Sequence, residues 1–210
     1  MARMSDSGRV PTSTPLSRWL TELAQPTGAP GGGAAAGVML GMSAALLHMV
    51  AEYTPDDPRA AHAAGRLAAR RTEALAAAEA DGVQSLEFGT ALRLPAHEPT
   101  RDERVRDAAL AAGRSSARLG EVGLALLPEL RLLVEIGNPS LTADLAVGAE
   151  ALVTGLAGAS INLRANLQTA RRHDARGVQL RELNDVVRRL ADGRSAAQRI
   201  AGDASARLDE

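Results

Sequence analysis

Apolar residues recur along this chain at helical spacing, and no stretch alternates between apolar and polar positions as a half-buried strand would. A short amphipathic helix is predicted at residues 16–24, with Leu16, Leu20 and Leu23 on one side and Trp19 beside them. The long helix expected after residue 100 carries an apolar stripe of Val105, Ala109, Ala112, Leu119, Val122, Leu126, Leu130 and Leu133. The last helix is expected to turn inward Leu180, Leu183, Val187, Leu190, Ala197 and Ala201, with arginines outside. The pattern predicts an all-α bundle of about six helices.

Two predicted helices, near residues 33–53 and 140–170, are apolar on most of their sides. Such helices are either buried in the core or span a membrane. Burial is favoured, because both are rich in Gly and Ala rather than in strongly apolar residues. A bundle of this size needs two buried central helices only if part of their surface meets another subunit, so a homodimer with no membrane association is predicted.

Helix boundaries are marked by capping residues and prolines. Asp57 with Pro58 predicts a helix start, Thr100 to Glu103 has the sequence of a capping box, and Pro128 is expected to kink the long helix. The polar residues 1–13 are predicted to form a disordered tail, and residues 14–206 a single helical domain.

The composition excludes several kinds of chemistry. Of 210 residues, only one is Phe, one Tyr and one Trp, so the core must be built from Ala, Leu, Val and Met. The chain has no Lys and no Cys, which excludes Schiff-base lysines, P-loops and thiol nucleophiles. A net charge of −1 gives no field to attract nucleic acid. Without cysteines or an apolar leader, a cytoplasmic location is expected.

Polar residues interrupt the second apolar helix. Asp144 lies among Leu, Ala and Val, while Asn162, Arg164 and Asn166 follow in its later half, with both asparagines on one face. A buried carboxylate or amide needs hydrogen-bond partners, so these are candidate site residues. The alternative is that Asn138 and Asp144 only cap the helix start. Against it, Asp144 is about a turn too deep for a helix beginning near residue 139.

Other polar residues are expected to be structural or exposed. Taken alone, Asp81 and Arg93 fit an ordinary surface, and His48 fits a core histidine better than a catalytic base. The remaining histidines are expected to be exposed and show no metal-ligand spacing, so no metal is predicted; they are His62, His97 and His173. Ser115 and Ser116 are likewise expected on a solvated face.

Gly31, Gly32 and Gly33 belong to the segment PTGAPGGGAAAG, residues 26–37, which runs into the first apolar helix. It is not a P-loop, since Val38 follows Gly37 where Lys is required, and no strand precedes it as in a dinucleotide-binding turn. What remains is a helix amino terminus with uncovered N–H groups, suited to a flat or anionic ligand.

Three ordered blocks resemble the folate cyclodeaminase/cyclohydrolase family, which includes the cyclodeaminase domain of formiminotransferase-cyclodeaminase and stand-alone methenyltetrahydrofolate cyclohydrolases. Residues 26–54 resemble its P-x-P-G-G-G-S-x-A-A…M-V-A-N-L-T opening. Asp81 with ALRLP (91–95) is similar to D-x-x-A-F…A-[YF]-[KR]-L-P. Residues 137–144 and 162–166 are similar to G-N-x-N…S-D and N-[VI]-[KR]-x-N.

The resemblance implies a helical homodimer that binds folate in a cleft near the subunit interface. A tetrahydrofolate derivative is then the substrate, and no prosthetic group is needed. The resemblance also implies a role for Asp144 in stabilising the amidinium charge and transferring a proton, with Asp81 and Arg93 as further catalytic residues. The remaining residues are implied to bind substrate: Gly31, Gly32, Gly33, Asn138, Asn162, Arg164 and Asn166.

Four positions depart from the family pattern: Ala34 and Ser85 replace Ser and Phe, and Glu52 and Ser140 replace two Asn residues. The second proline of P-x-P is also shifted, to Pro30. Methenyltetrahydrofolate cyclohydrolase is the first functional hypothesis. The alternatives are a formiminotetrahydrofolate cyclodeaminase and a non-catalytic dimeric binding protein that has lost the chemistry.

Overall fold

The computed structural model describes residues 14–209, so the predicted tail at 1–13 lies outside the described residues. Its seven α-helices are α1 (Leu16–Leu23), α2 (Gly32–Glu52), α3 (Pro58–Leu92), α4 (Arg101–Leu124), α5 (Leu127–Ile136), α6 (Thr142–Arg172) and α7 (Val178–Ala206). A 3-10 helix, Pro139–Leu141, precedes α6. Residues 14–209 contain no strand, and the all-α prediction is confirmed.

The two apolar helices form the centre of the bundle. Helix α2 packs against α3 and α6, and α6 packs in addition against α4 and α7. Small residues let these axes approach closely: a Cβ atom on Gly155 of α6 would lie 2.5 Å from Cδ2 of Leu40, and one on Gly37 would lie 2.5 Å from Cβ of Ala78. A chain with so few aromatic residues thus fills its core by bringing helices together.

Part of this central pair remains uncovered. By length and apolar composition alone, both α2 and residues 139–172 could cross a membrane. In their most apolar 18-residue stretches, however, 56% and 50% are buried inside the bundle. That burial is the pattern of core helices. Exposed apolar residues remain on the outer side, among them Met42 on α2 and Val147 and Ile161 on α6.

One predicted helix boundary holds, a predicted kink is a break between two helices, and one predicted cap is wrong. The Asp57 carboxylate accepts a hydrogen bond from the backbone N–H of Arg59 at 2.8 Å, as an N-cap should. The predicted kink at Pro128 is a break, where α4 ends and α5 begins. Thr100 forms no capping box, because its hydroxyl donates to Glu98 at 3.0 Å and its ψ of 2° is not extended.

An ion pair between a half-exposed arginine and a buried glutamate links α3 to α5. Arg66 on α3 donates through Nε and Nη2 to the two carboxylate oxygens of Glu129, at 2.6 and 2.8 Å. Glu129 is only 6% exposed, so the arginine is what compensates its charge. The pair links the short α5 to α3, next to the point where the helix is interrupted between α4 and α5.

Candidate active site

The carboxylate of Asp81 lies against the amino terminus of α2. Asp81 belongs to the middle of α3 and is 5% exposed. A Cβ atom on Gly33, in the first turn of α2, would overlap Oδ2 of Asp81 and lie 2.5 Å from its Cγ. Only glycine leaves room for the carboxylate here, at a helix end whose dipole favours negative charge.

Among residues 14–209, hydroxyl groups and no charged partner surround Asp81. Ser116 on α4 donates to Oδ1 at 3.5 Å. Burial raises the pKa of Asp81 above its ordinary value, and hydrogen bonds from Ser115, Ser116 and Ser85 oppose that rise. A carboxyl group with a raised pKa holds a proton more tightly than an ordinary one, which suits it to accept a proton and return it.

The two asparagines of α6 border the same place. Asn166 donates through Nδ2 to the hydroxyl of Ser116 at 3.4 Å. The amide atoms of Asn162 lie 3.4 Å from where a Cβ atom on Gly32 would be, and its Nδ2 donates to the carbonyl of Gly158 at 2.9 Å. The glycine segment, Asp81 and both asparagines therefore form one cluster, which we call the Asp81 cluster.

Asn138 and Asp144 lie at the other end of α6. Asp144 precedes Asn162 by 18 positions, which separates them by about 27 Å along the helix. Helix α6 begins at Thr142, later than expected, so Asp144 is in its first turn and the argument that it lies a turn too deep is wrong. Within one chain, Asp144 cannot act on the same reacting atoms as Asp81.

Asn138 has the structural role that the sequence left open as an alternative. Its Oδ1 accepts from the N–H of Ser140 at 3.0 Å, capping the 3-10 helix, and its Nδ2 donates to the carbonyl of Tyr53 at 3.2 Å. It also lines a groove of about 650 Å³ formed with residues 52–57 and 136–139.

The two candidate arginines are exposed and lie apart from Asp81. Arg93 follows α3 at 12 positions beyond Asp81, about 18 Å along the helix, and donates to Thr90 at 3.2 Å. Arg164 lines a groove of about 540 Å³ between α6 and α7, where Arg171 donates to Asn184 at 2.6 Å.

Ser116 was missed as a site residue. It was expected to be solvated, yet it is 1% exposed and contacts both Asp81 and Asn166. The signal was present in the sequence, because Ser116 falls on the same helical stripe as Ala112 and Leu119, both of which were expected to face inward.

Among the histidines, one expectation is wrong. His173 is not solvent-exposed: its side chain is 17% exposed, and Nδ1 lies 2.8 Å from a carboxylate oxygen of Asp102. His62 and His97 are exposed as predicted. His48 is half-buried, with Nε2 3.3 Å from the Glu52 carboxylate.

The departures from the family pattern have different surroundings. Ala34 is 1% exposed and packs with Trp19 and Ala78. Ser85, in place of an aromatic side chain, puts a hydroxyl near Asp81 that acts to lower the pKa of that carboxyl. Glu52 and Ser140 are exposed.

Comparison with known proteins identifies relatives over most of the chain. The family model described as formiminotransferase-cyclodeaminase matches residues 15–184. The chain is 30% identical over 165 residues to formimidoyltransferase-cyclodeaminase from Rattus norvegicus and 31% identical over 168 residues to that from Sus scrofa. Each match covers 73% of this chain but only 30% of the relative, so the chain spans about a third of their length.

The same fold occurs in a solved structure. Formiminotetrahydrofolate cyclodeaminase from Thermotoga maritima superposes with a TM-score of 0.73, covering 91% of this chain and 97% of that one. At 20% identity this likeness shows the shared fold. The family model, which covers most of the chain, shows the lineage: the protein belongs to the formiminotransferase-cyclodeaminase family.

Proposed function

We propose that this protein is a formiminotetrahydrofolate cyclodeaminase, which closes 5-formiminotetrahydrofolate to the 5,10-methenyl compound and releases ammonia. The names of the relatives and of the structural neighbour support this activity over methenyltetrahydrofolate cyclohydrolase, which the sequence had put first. The cyclohydrolase remains the second candidate, because both reactions pass through the methenyl cation.

The observation that carries the proposal is the position of Asp81 against Gly33. Starting from a protonated formimino group, the N10–C bond forms, the bond to the amino nitrogen breaks, and one proton moves from N10 to the departing nitrogen. A single carboxyl group can take that proton and return it, provided that its pKa is raised and no cation holds it ionised. Asp81 meets both conditions within the described part of the chain.

Neighbouring groups can bind the substrate. The exposed edge of Gly32 and the amide of Asn162 offer a surface without a bulky side chain, suited to a flat pterin ring. Arg164, in the α6–α7 groove, is exposed and can meet a carboxylate of the substrate tail. The folate derivative is the substrate in this proposal, and no prosthetic group is required.

The proposal includes a homodimer in the cytoplasm. Its support is the exposed apolar residues of the central helices, Met42, Val147 and Ile161, since core helices of a monomer would be covered on that side. Light scattering coupled to size exclusion tests this directly. A monomer at micromolar concentration would contradict it.

The activity is tested by following the absorbance of the methenyl compound with purified protein and 5-formiminotetrahydrofolate, while ammonia is measured in parallel. We expect absorbance and ammonia to rise together at a rate well above that in buffer. A second assay supplies methenyltetrahydrofolate: if the protein consumes it, and the first assay gives no ammonia, the protein is the cyclohydrolase. Acceleration of neither reaction would overturn both enzyme proposals and leave a binding protein.

A further inference from the structure

Ser116 is placed between the candidate proton carrier and the central helix α6. Its hydroxyl oxygen lies 3.5 Å from Oδ1 of Asp81, 3.1 Å from the carbonyl oxygen of Ala112, and 3.4 Å from Nδ2 of Asn166. The residue is 1% exposed, so water does not compete freely for these contacts.

The three contacts exceed what one arrangement of the hydroxyl can satisfy. A serine hydroxyl has one proton to donate and two lone pairs that accept. The amide of Asn166 is a donor in any state, whereas the carbonyl of Ala112 and the Asp81 carboxylate both require the same proton. The preferred acceptor must therefore depend on whether Asp81 is ionised.

We propose that Ser116 is a positioning residue that turns its hydroxyl proton between Ala112 and Asp81 as Asp81 loses and gains a proton. With Asp81 ionised, Ser116 donates to Oδ1. With Asp81 protonated, Ser116 donates to the Ala112 carbonyl and accepts the proton of Asp81 as a hydrogen bond. Asn166 donates to the hydroxyl in both states and keeps its oxygen in place. No covalent bond changes at Ser116, and the inference deepens the proposed role of Asp81.

The groups that face Asp81, and that can adjust when it gains or loses a proton, are uncharged. Helix α2 presents Gly33, α3 presents Ser85, and α4 presents Ser115 and Ser116. Helix α6 contributes its two asparagines, of which one reaches Asp81 through Ser116. In the described residues, the perturbation of Asp81 comes from burial and from three hydroxyls. Removing the Ser116 hydroxyl should therefore shift the pKa of Asp81 measurably.

A second buried serine provides the matched control. Ser43 on α2 is 0% exposed, and its hydroxyl has no hydrogen-bond partner in the described structure. Replacing Ser43 by Ala removes a buried hydroxyl of the same size with no link to Asp81. Any effect common to Ser43→Ala and Ser116→Ala is then one of packing alone.

The test follows the titration of the Asp81 carboxyl carbon by ¹³C NMR in the intact protein, with Asp81→Asn to assign the signal. We expect Ser116→Ala to move the Asp81 midpoint to higher pH and Ser43→Ala to leave it in place. In the pH profile of kcat/KM, the limb that reports Asp81 should move in the same direction. Turnover at the optimum should fall roughly three- to tenfold, the worth of one hydrogen bond. An unchanged midpoint in Ser116→Ala would overturn the proposal.

Two further measurements test the proposal if Ser116→Ala does not fold or the wild type is inactive. If Ser116→Ala fails to fold, Ser116→Cys retains a side chain of similar size with a weaker donor, and the midpoint must still rise. If the wild type turns over no folate substrate, the proposed function fails, whereas the NMR titration still decides whether Ser116 responds to Asp81. A loss of activity in Ser116→Ala with an unshifted pH limb would assign Ser116 a purely structural role.

Discussion

Gly33 packs so closely against the carboxylate of Asp81 that a Cβ atom at position 33 would overlap Oδ2, and no other amino acid fits at this contact. The contact joins two segments 48 positions apart in the chain, the start of α2 and the middle of α3. It gives the triple glycine a specific purpose, which is to let a buried carboxylate approach a helix amino terminus.

Gly33→Ala should abolish most of the activity while leaving a folded protein. The new methyl group must displace the Asp81 carboxylate from its serine partners, and misplacing a catalytic group commonly costs about 100-fold in rate. The measurement is kcat/KM in the methenyl assay, with circular dichroism as the check on folding. Gly41→Ala is the control, because its methyl group would meet only the Leu75 side chain, at ordinary distances of 3.5 Å and more. Equal activity in the two variants would contradict the prediction.

Asp81→Asn should remove activity by roughly 10²–10⁴-fold, the usual contribution of a general acid–base group. The amide preserves the shape and can still accept from the serines, so loss of proton transfer is the main change. Rates are compared with wild type across the pH range. A variant that retains more than a tenth of the wild-type rate would remove Asp81 from the mechanism.

The stability of Asp81→Asn should differ from wild type in a pH-dependent way. Because burial raises the pKa of Asp81, the folded protein holds this proton more tightly than the unfolded chain does. Its stabilising contribution is complete below the unfolded pKa, near 3.8, and is lost as pH rises through the folded pKa. Denaturant unfolding of both proteins should therefore show the variant gaining relative stability as pH rises above about 4. Parallel stability profiles would contradict the raised pKa.

A mixed dimer, with Asp144→Asn in one subunit and Asp81→Asn in the other, tests whether the two carboxylates belong to one site. About 27 Å of α6 separates Asp144 from the Asp81 cluster in a single chain, so a shared site requires two subunits. We expect each variant alone to be impaired and co-expressed, doubly tagged heterodimers to recover activity. Full activity in Asp144→Asn alone would remove that residue from the reaction. Recovery that is absent despite proven heterodimers would exclude a shared site.

Arg66→Ala should destabilise the fold by about 1–3 kcal/mol, because Glu129 is left buried without its partner. Urea unfolding gives the free energy. The double variant Arg66→Met with Glu129→Leu should recover most of the loss, since it removes the buried charge as well. Arg59→Ala is the control: it removes ion pairs of the exposed Arg59 with Asp57 and with Glu135 of α5, and should lower the free energy of unfolding by less than Arg66→Ala does. A double variant no more stable than Arg66→Ala would refute the buried-charge explanation.

Local patterns in the sequence determined where most helices begin and end. The two apolar helices and the cap at Asp57 depend on residues adjacent in the chain, and both were predicted, whereas Pro128 was expected only to kink a helix that in fact ends. The capping box predicted at Thr100 does not form, because the nearby side chain of Glu98 accepts its hydroxyl proton instead. The prediction that His173 is exposed was wrong because Asp102 approaches it from another helix, and no residue near His173 in the sequence indicates that contact.

The sequence by itself also predicted that Gly31 to Gly33 enter a helix without covering its amino terminus, and that the asparagines of α6 are candidate site residues. Asp81, taken alone, was expected on the surface and became a candidate only through the family resemblance, yet it is buried. Tertiary structure alone decided which of them meet. Asp81 and Ser116 touch because α3 and α4 pack at a particular rotation, whereas Asp144 and Asn162, on one helix, are kept apart by its rigid rise. Helical periodicity fixes the side of a helix on which a residue lies, but the partner on that side is set by how the helices dock.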